Sequence, residues 1–135
     1  MKEIIDLIKK ARFVFVCGNG GSAATAEHFT NDLFSCGIKA ICINSNSSIM
    51  TMIANDFGYE FTFSKQIELY ATKDDLLITI SCSGTSKNVV NASIVAKWKG
   101  MNTYEFETFT NDRDYENLEN QHLKFAHRIA KILRG

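Results

Sequence analysis

The chain has 135 residues, 45% hydrophobic and 22% charged, with fifteen basic and fifteen acidic side chains that cancel. That length suits one domain, 1–135, with a buried core, and the balanced charge argues against a nucleic-acid partner. No apolar stretch is long enough to span a membrane and the opening residues lack the layout of a secretory signal, so a cytoplasmic protein without a membrane partner is expected.

Taken in chain order, Ile4, Ile5, Leu7 and Ile8 are spaced for a short amphipathic helix. The run RFVFVC (12–17) reads as a buried strand, broken by Gly18, Gly20 and Gly21. Ser22 is placed to cap a helix running to about Phe34. KAICIN is a second strand ending in Asn44, SSIMTMIANDFG a helix stopping near Gly58, and YEFTFSKQIELYA a further helix. DDLLITIS is a third strand, closed by CSGTS, and KNVVNASIVAKWKG a helix stopped by Gly100. NTYEFETF is a fourth strand, and YENLENQHLKFAHRIAKILR a long final helix. Strands alternating with helices imply an α/β fold with a parallel sheet covered on both faces. There is neither an internal repeat nor a low-complexity linker.

Two strand-to-helix junctions, CGNGGSA and SCSGTSKN, are rich in glycine and hydroxyl side chains. Each sets backbone N–H groups at a helix N-terminus, where the helix dipole favours an anion. In open parallel sheets ligands sit at the carboxyl ends of strands, where both junctions lie. One such turn is explained equally well as a tight turn; two in one short chain point to an anion site. Neither is a dinucleotide fingerprint or a Walker loop, since the G-x-G-x-x-G and Gly-Lys-Ser/Thr spacings are missing.

Cys17, Cys36, Cys42 and Cys82 form no C-x-x-C pair, which argues against a zinc knuckle or redox motif. Cys17, Cys42 and Cys82 lie in or beside expected strands, where a thiol is ordinarily buried and inert. His28 and Asp32, four apart, share one helix face, and His122 and His127 share the final helix with Glu119 eight residues before His127. Two histidines and two carboxylates suit zinc if the helices meet. By spacing alone a surface ion pair is the better account of His28 and Asp32.

GNGGSAATAEHF, ANDFGYEFTFSKQIE and ISCSGTSKNVVNA, in this order, strongly resemble the sugar isomerase (SIS) domain, and within it the phosphoheptose isomerase family. The resemblance runs from about Arg12 to Lys99 and resumes at the final helix. It implies a three-layer αβα sandwich of the flavodoxin or Rossmann-like kind. It also implies that Ser81, Ser83 and Ser86 grip a sugar phosphate, with Cys82 standing where Thr is usual and Thr85 where Asn is usual. Asn19, Gly20, Gly21 and Ser22 would contact sugar or phosphate, and Asn55 and Asp56 the sugar.

The same resemblance implies one zinc per site, held by His28, Asp32, Glu119 and His127, with Glu119 also near the substrate. Asp32 would be the catalytic base and His127 its acid/base partner, while His122 would be a helix-surface residue. Two departures stand out: Asp32 replaces the usual Glu, and Glu119 the usual Gln. A third is that only GMNTYEFETFTNDRD separates Lys99 from Tyr115, where a further strand and helix are usual. A sheet trimmed to about four strands is therefore expected.

The implied function is isomerisation of sedoheptulose 7-phosphate to D-glycero-D-manno-heptose 7-phosphate through an enediol, supplying heptose for surface polysaccharide. The implied assembly is a homotetramer with sites between subunits, the first and last helices of one site coming from different chains. The alternative is a non-catalytic SIS module that binds a sugar phosphate or a protein, of the DnaA initiator-associating type.

Overall fold

The computed structural model describes residues 1–108 and 114–135. Its elements are α1 (Lys2–Lys10), β1 (Val14–Gly18), α2 (Gly21–Ser35), β2 (Ala40–Cys42), α3 (Ser47–Asp56), a 3₁₀ turn (Tyr59–Phe61), α4 (Ser64–Tyr70), β3 (Leu76–Ile80), α5 (Lys87–Trp98), β4 (Asn102–Glu105) and α6 (Tyr115–Arg134). The four strands form one all-parallel sheet in the order β2-β1-β3-β4, as the alternation of elements predicts. Residue 109, the end of the expected fourth strand, lies outside the described residues.

Every residue of β1 and β3 is buried, as central strands of a sheet covered on both faces must be. Their side chains alternate between two cores. Val14, Val16, Ile78 and Ile80 pack with Ile4 and Ile8 of α1, Phe29 and Leu33 of α2, and Phe125 and Ile129 of α6. Phe15, Cys17 and Leu77 pack on the other face with Ile67 of α4 and Val89, Ala92 and Ala96 of α5. Helix layers on both faces of the sheet give the expected αβα sandwich. No helix among the described residues is long and apolar enough to cross a membrane.

Helix α5 ends as its sequence forecasts. Gly100 N–H bonds Lys97 O and Met101 N–H bonds Ala96 O, with Gly100 at φ +77°, the paired closure that a left-handed glycine permits. The expected continuous helix over YEFTFSKQIELYA is instead a 3₁₀ turn followed by α4. The Thr62 hydroxyl donates back to Tyr59 O at 2.8 Å, closing the turn. The chain then re-enters with Phe63 fully buried while Phe61 stays outside. The expected cap at Ser22 is also corrected: Gly20 precedes α2 without a side-chain cap, and Ser22 lies buried inside the first turn.

The four cysteines are free thiols. Burial pushes the Cys17 thiol well above the usual range and raises that of Cys42, which keeps both protonated and unreactive.

Candidate functional site

The two anion-cradle junctions meet because their strands are neighbours. β1 and β3 pair in register through Gly18 opposite Ile80, so the turn after each opens at the same end of the sheet. There is no room for a side chain at Gly18: a Cβ would fall 2.7 Å from Ser22 O and 2.8 Å from Ile80 O. Asn44, at the end of the β2 segment, locks this end of β1. Its Oδ1 accepts from Gly18 N–H at 3.1 Å and its Nδ2 donates to Gly18 O.

Between the turns lies a cleft of about 220 Å³ lined by Asn19, Gly20, Gly21, Ser22, Ser81, Cys82, Ser83, Ser86, Tyr115 and Glu119. Eight of these come from the two junctions, so all the phosphate-side residues read from the sequence share one cavity. The serines form a chain, Ser81 Oγ to Ser83 Oγ at 3.4 Å and Ser83 Oγ to Ser86 Oγ at 3.4 Å. Gly84 N–H donates to Ser81 Oγ at 3.0 Å and Thr85 N–H to Ser83 Oγ at 3.2 Å, which fixes the loop. Cys82 Sγ lies 3.9 Å from Ser22 Oγ. Burial raises its pKa, the Ser22 hydrogen bond offsets part of this, and the Glu119 charge adds a smaller rise, so it sits in the cleft as a neutral thiol.

Asn88 was missed. Its side chain and that of Asn19 exchange amide hydrogen bonds, Asn19 Nδ2 to Asn88 Oδ1 at 2.8 Å and Asn88 Nδ2 to Asn19 Oδ1 at 2.9 Å, tying one cradle to the other. Tyr59 Oη donates to Asn19 Oδ1 at 2.9 Å. The signal was present: Asn88 is a polar residue on the stripe Asn88, Ala92, Ala96 that α5 buries. Asn55 and Asp56 sit exposed at the end of α3, where Asn55 Nδ2 donates to Asp56 Oδ1 at 3.0 Å. They do not line the cleft.

Helices α2 and α6 lie side by side and run the same way. Gly21 meets Glu119 near their starts, Asp32 meets His127 midway, and Ser35 meets Arg134 at their ends. The midway contact gathers His28, Asp32 and His127, whose ligand atoms all lie within 4.8 Å of one another. Asp32 Oδ2 is 3.5 Å from His28 Nε2 and 3.7 Å from His127 Nδ1, and this buried oxygen has no hydrogen-bond partner among the described residues. Arg134 Nη2 lies 3.7 Å from the other oxygen, Oδ1. The two imidazoles meet edge to face with centroids 4.9 Å apart. Within one chain the two helices already bring these three side chains together.

Glu119 is not among the three gathered donors. It lies eight residues, ~12 Å of helix rise, before His127, with its carboxylate against Gly21 in the cleft. His122 is buried rather than on the helix surface, 1% exposed. It lies on the apolar stripe of α6 with Leu118, Phe125 and Ile129, and its ring meets Phe106 at 5.9 Å.

Residues 1–106 match the SIS domain family. The chain is similar to a phosphoheptose isomerase of Aliarcobacter butzleri, 34% identical over 152 aligned positions that cover 98% of this chain and 80% of that protein. It is 44% identical to a phosphoheptose isomerase of Helicobacter pylori over 73% of its own length, but spans only 55% of that relative. Among solved structures it superposes on a phosphoheptose isomerase of Neisseria gonorrhoeae with a TM-score of 0.86 and 26% identity, covering 98% of this chain and 81% of the other.

Proposed function

The chain belongs to the SIS domain family, and on that premise we propose that it is a phosphoheptose isomerase interconverting sedoheptulose 7-phosphate and D-glycero-D-manno-heptose 7-phosphate. The observation that carries this reading is an arrangement along one helix pair. The hydroxyl-lined cleft opens at the start of α2 and α6, and a carboxylate flanked by two imidazoles lies farther along the same seam. Gly21 and His28 are seven residues apart, ~10 Å of rise and nearly the same face. A substrate with phosphate at one end and carbonyl at the other is what such a seam suits.

The phosphate end is held by the Ser81, Ser83 and Ser86 hydroxyls and by the amides that open α2. This holding supplies position rather than chemistry. At the other end Asp32 takes a proton from C1 of the ketose. The electron pair closes a C1–C2 double bond, and O2 accepts a proton from His127. The resulting enediol returns through the reverse pair of transfers, with a proton delivered to C2 and another leaving O1.

The three-donor cluster fits a divalent metal. Two imidazole nitrogens and a carboxylate oxygen are the donor types zinc takes, and the buried Asp32 Oδ2 has no hydrogen-bond partner among the described residues. We assign His28, Asp32 and His127 to that role; bound there, zinc would withdraw charge from the carbonyl oxygen. We also assign a homotetramer, because Trp98 (84% exposed) and Leu69 (79%) are large apolar side chains that an assembly would cover.

Incubation with sedoheptulose 7-phosphate, with and without added zinc, tests the reading by following heptose 7-phosphate formation. Turnover that His127→Ala abolishes supports it. A folded wild-type protein that binds the sugar phosphate without converting it in either condition refutes it.

A further inference from the structure

We infer that Glu119 is a built-in competitor of the phosphate: its carboxylate occupies the place at the start of α2 that an incoming anion must take. This rests on reading the cleft as a phosphate seat.

The cleft offers hydroxyls and amides, but no Lys or Arg lines it, and Glu119 is its one charged residue among the described residues. The carboxylate lies flat on Gly21. A Cβ there would come 2.1 Å from Oε1, 2.3 Å from Cδ and 2.5 Å from Oε2, so the bare Cα of glycine is what admits it. Helix α2 has no side-chain cap and no acid in its own first turn. A carboxylate from the neighbouring helix supplies the negative charge that this helix end favours. Glu119 has no ion pair that would neutralise it among the described residues, and its charge is felt by the neighbouring Cys82 thiol.

Phosphate entering this seat meets a like charge at close range. A dianion and a carboxylate about 5 Å apart, even in water-like surroundings, lose on the order of tenfold in affinity, and more where water is excluded. Entry therefore requires Glu119 to leave Gly21, and the residue lowers the affinity for phosphate instead of contributing to the grip. A neutral amide of the same shape removes the repulsion and keeps the packing.

The test is titration calorimetry of the full chain with inorganic phosphate, comparing wild type, Glu119→Gln, Glu119→Ala and Glu119→Gln/Ser83→Ala. Both single variants should bind phosphate at least tenfold tighter than wild type, and the added Ser83→Ala should abolish that gain. Equal or weaker binding by both single variants overturns the inference, as does a gain that survives Ser83→Ala. Turnover of sedoheptulose 7-phosphate is read separately. A wild-type protein without turnover whose Glu119→Gln form binds phosphate more tightly removes the isomerase reading and keeps this one. Active wild type with no gain in the variant does the reverse.

Discussion

Gly18→Ala probes the junction on which the site is built. Gly18 is the last residue of β1, paired with Ile80 at the end of β3 and followed closely by the first turn of α2. An added Cβ would lie 2.7 Å from Ser22 O, 2.8 Å from Ile80 O and 2.9 Å from the Ser22 carbonyl carbon. All three are backbone atoms, so no side chain can rotate away. Each must retreat by about half an ångström, which separates β1 from β3 or lifts α2 off the sheet. Overpacking of this kind costs about 2 kcal/mol. With an unfolding entropy of about 2.1 cal/mol/K per residue, 135 residues give ~0.28 kcal/mol/K, so the melting temperature should fall by about 7 °C. The same displacement moves the cleft's two walls apart, so kcat/KM should fall at least tenfold. Gly100→Ala is the control. It has φ +77° and only an ordinary contact, Lys73 Cβ at 3.7 Å, so it carries backbone strain of ~1 kcal/mol far from the cleft and should leave kcat/KM unchanged. Far-UV circular dichroism melts and initial rates decide. A Gly18→Ala protein melting within 2 °C of wild type with normal kcat/KM would refute the close approach.

Four further outcomes follow from other parts of the molecule. Asn88→Ala should strip Asn19 of both its amide hydrogen bonds and lower kcat/KM by about tenfold or more, while costing about 1–3 kcal/mol in urea unfolding for the buried groups left unpaired. His28→Ala should weaken cobalt(II) binding, followed by its visible absorption, by at least tenfold, whereas Glu119→Gln should leave that spectrum in place. Burial raises the Asp75 carboxyl, but bonds from Arg12, Thr72 and Phe13 outweigh it and hold its pKa below 3.8. Its stabilisation is full above the unfolded value and lost as pH falls through the folded one, and Asp75→Asn should remove about 2 kcal/mol at pH 7 and flatten that acid limb. Burial pushes the His122 imidazole below 6.5, only partly offset by the Glu107 backbone. The unfolded chain then binds the extra proton first, so stability is full above about pH 6.5 and declines below it; His122→Phe should abolish that decline in melts run from pH 7.5 to 5.

What was legible in the sequence is what one-dimensional pattern carries. VFVC and LLITI read as strands because they are short, uncharged runs of β-forming residues, and two glycine- and serine-rich turns read as one anion site because both follow such strands. Gly100 stopped α5 where it was placed. Thr62 was illegible as a break, because a hydroxyl that closes a turn on Tyr59 has the same composition as one facing solvent in a helix.

His122 and Glu119 mark the boundary more sharply. Leu118, His122, Phe125, Ala126 and Ile129 are spaced as one helical stripe, so the burial of His122 was written in the periodicity of α6. The expectation of a surface residue came from the family resemblance, which says nothing about facing. Glu119 sits one residue past Leu118, at the edge of that stripe, where periodicity leaves it between core and solvent. What puts its carboxylate on Gly21 is the parallel register of α2 against α6, a tertiary quantity that neither helix encodes alone. The same register sets His127 opposite Asp32. A shift of one turn between the helices would therefore empty the phosphate seat of its carboxylate and break the donor cluster together. The two ends of the seam are one structural variable, and a disulfide or crosslink that slid α6 along α2 should change phosphate affinity and metal binding in the same step.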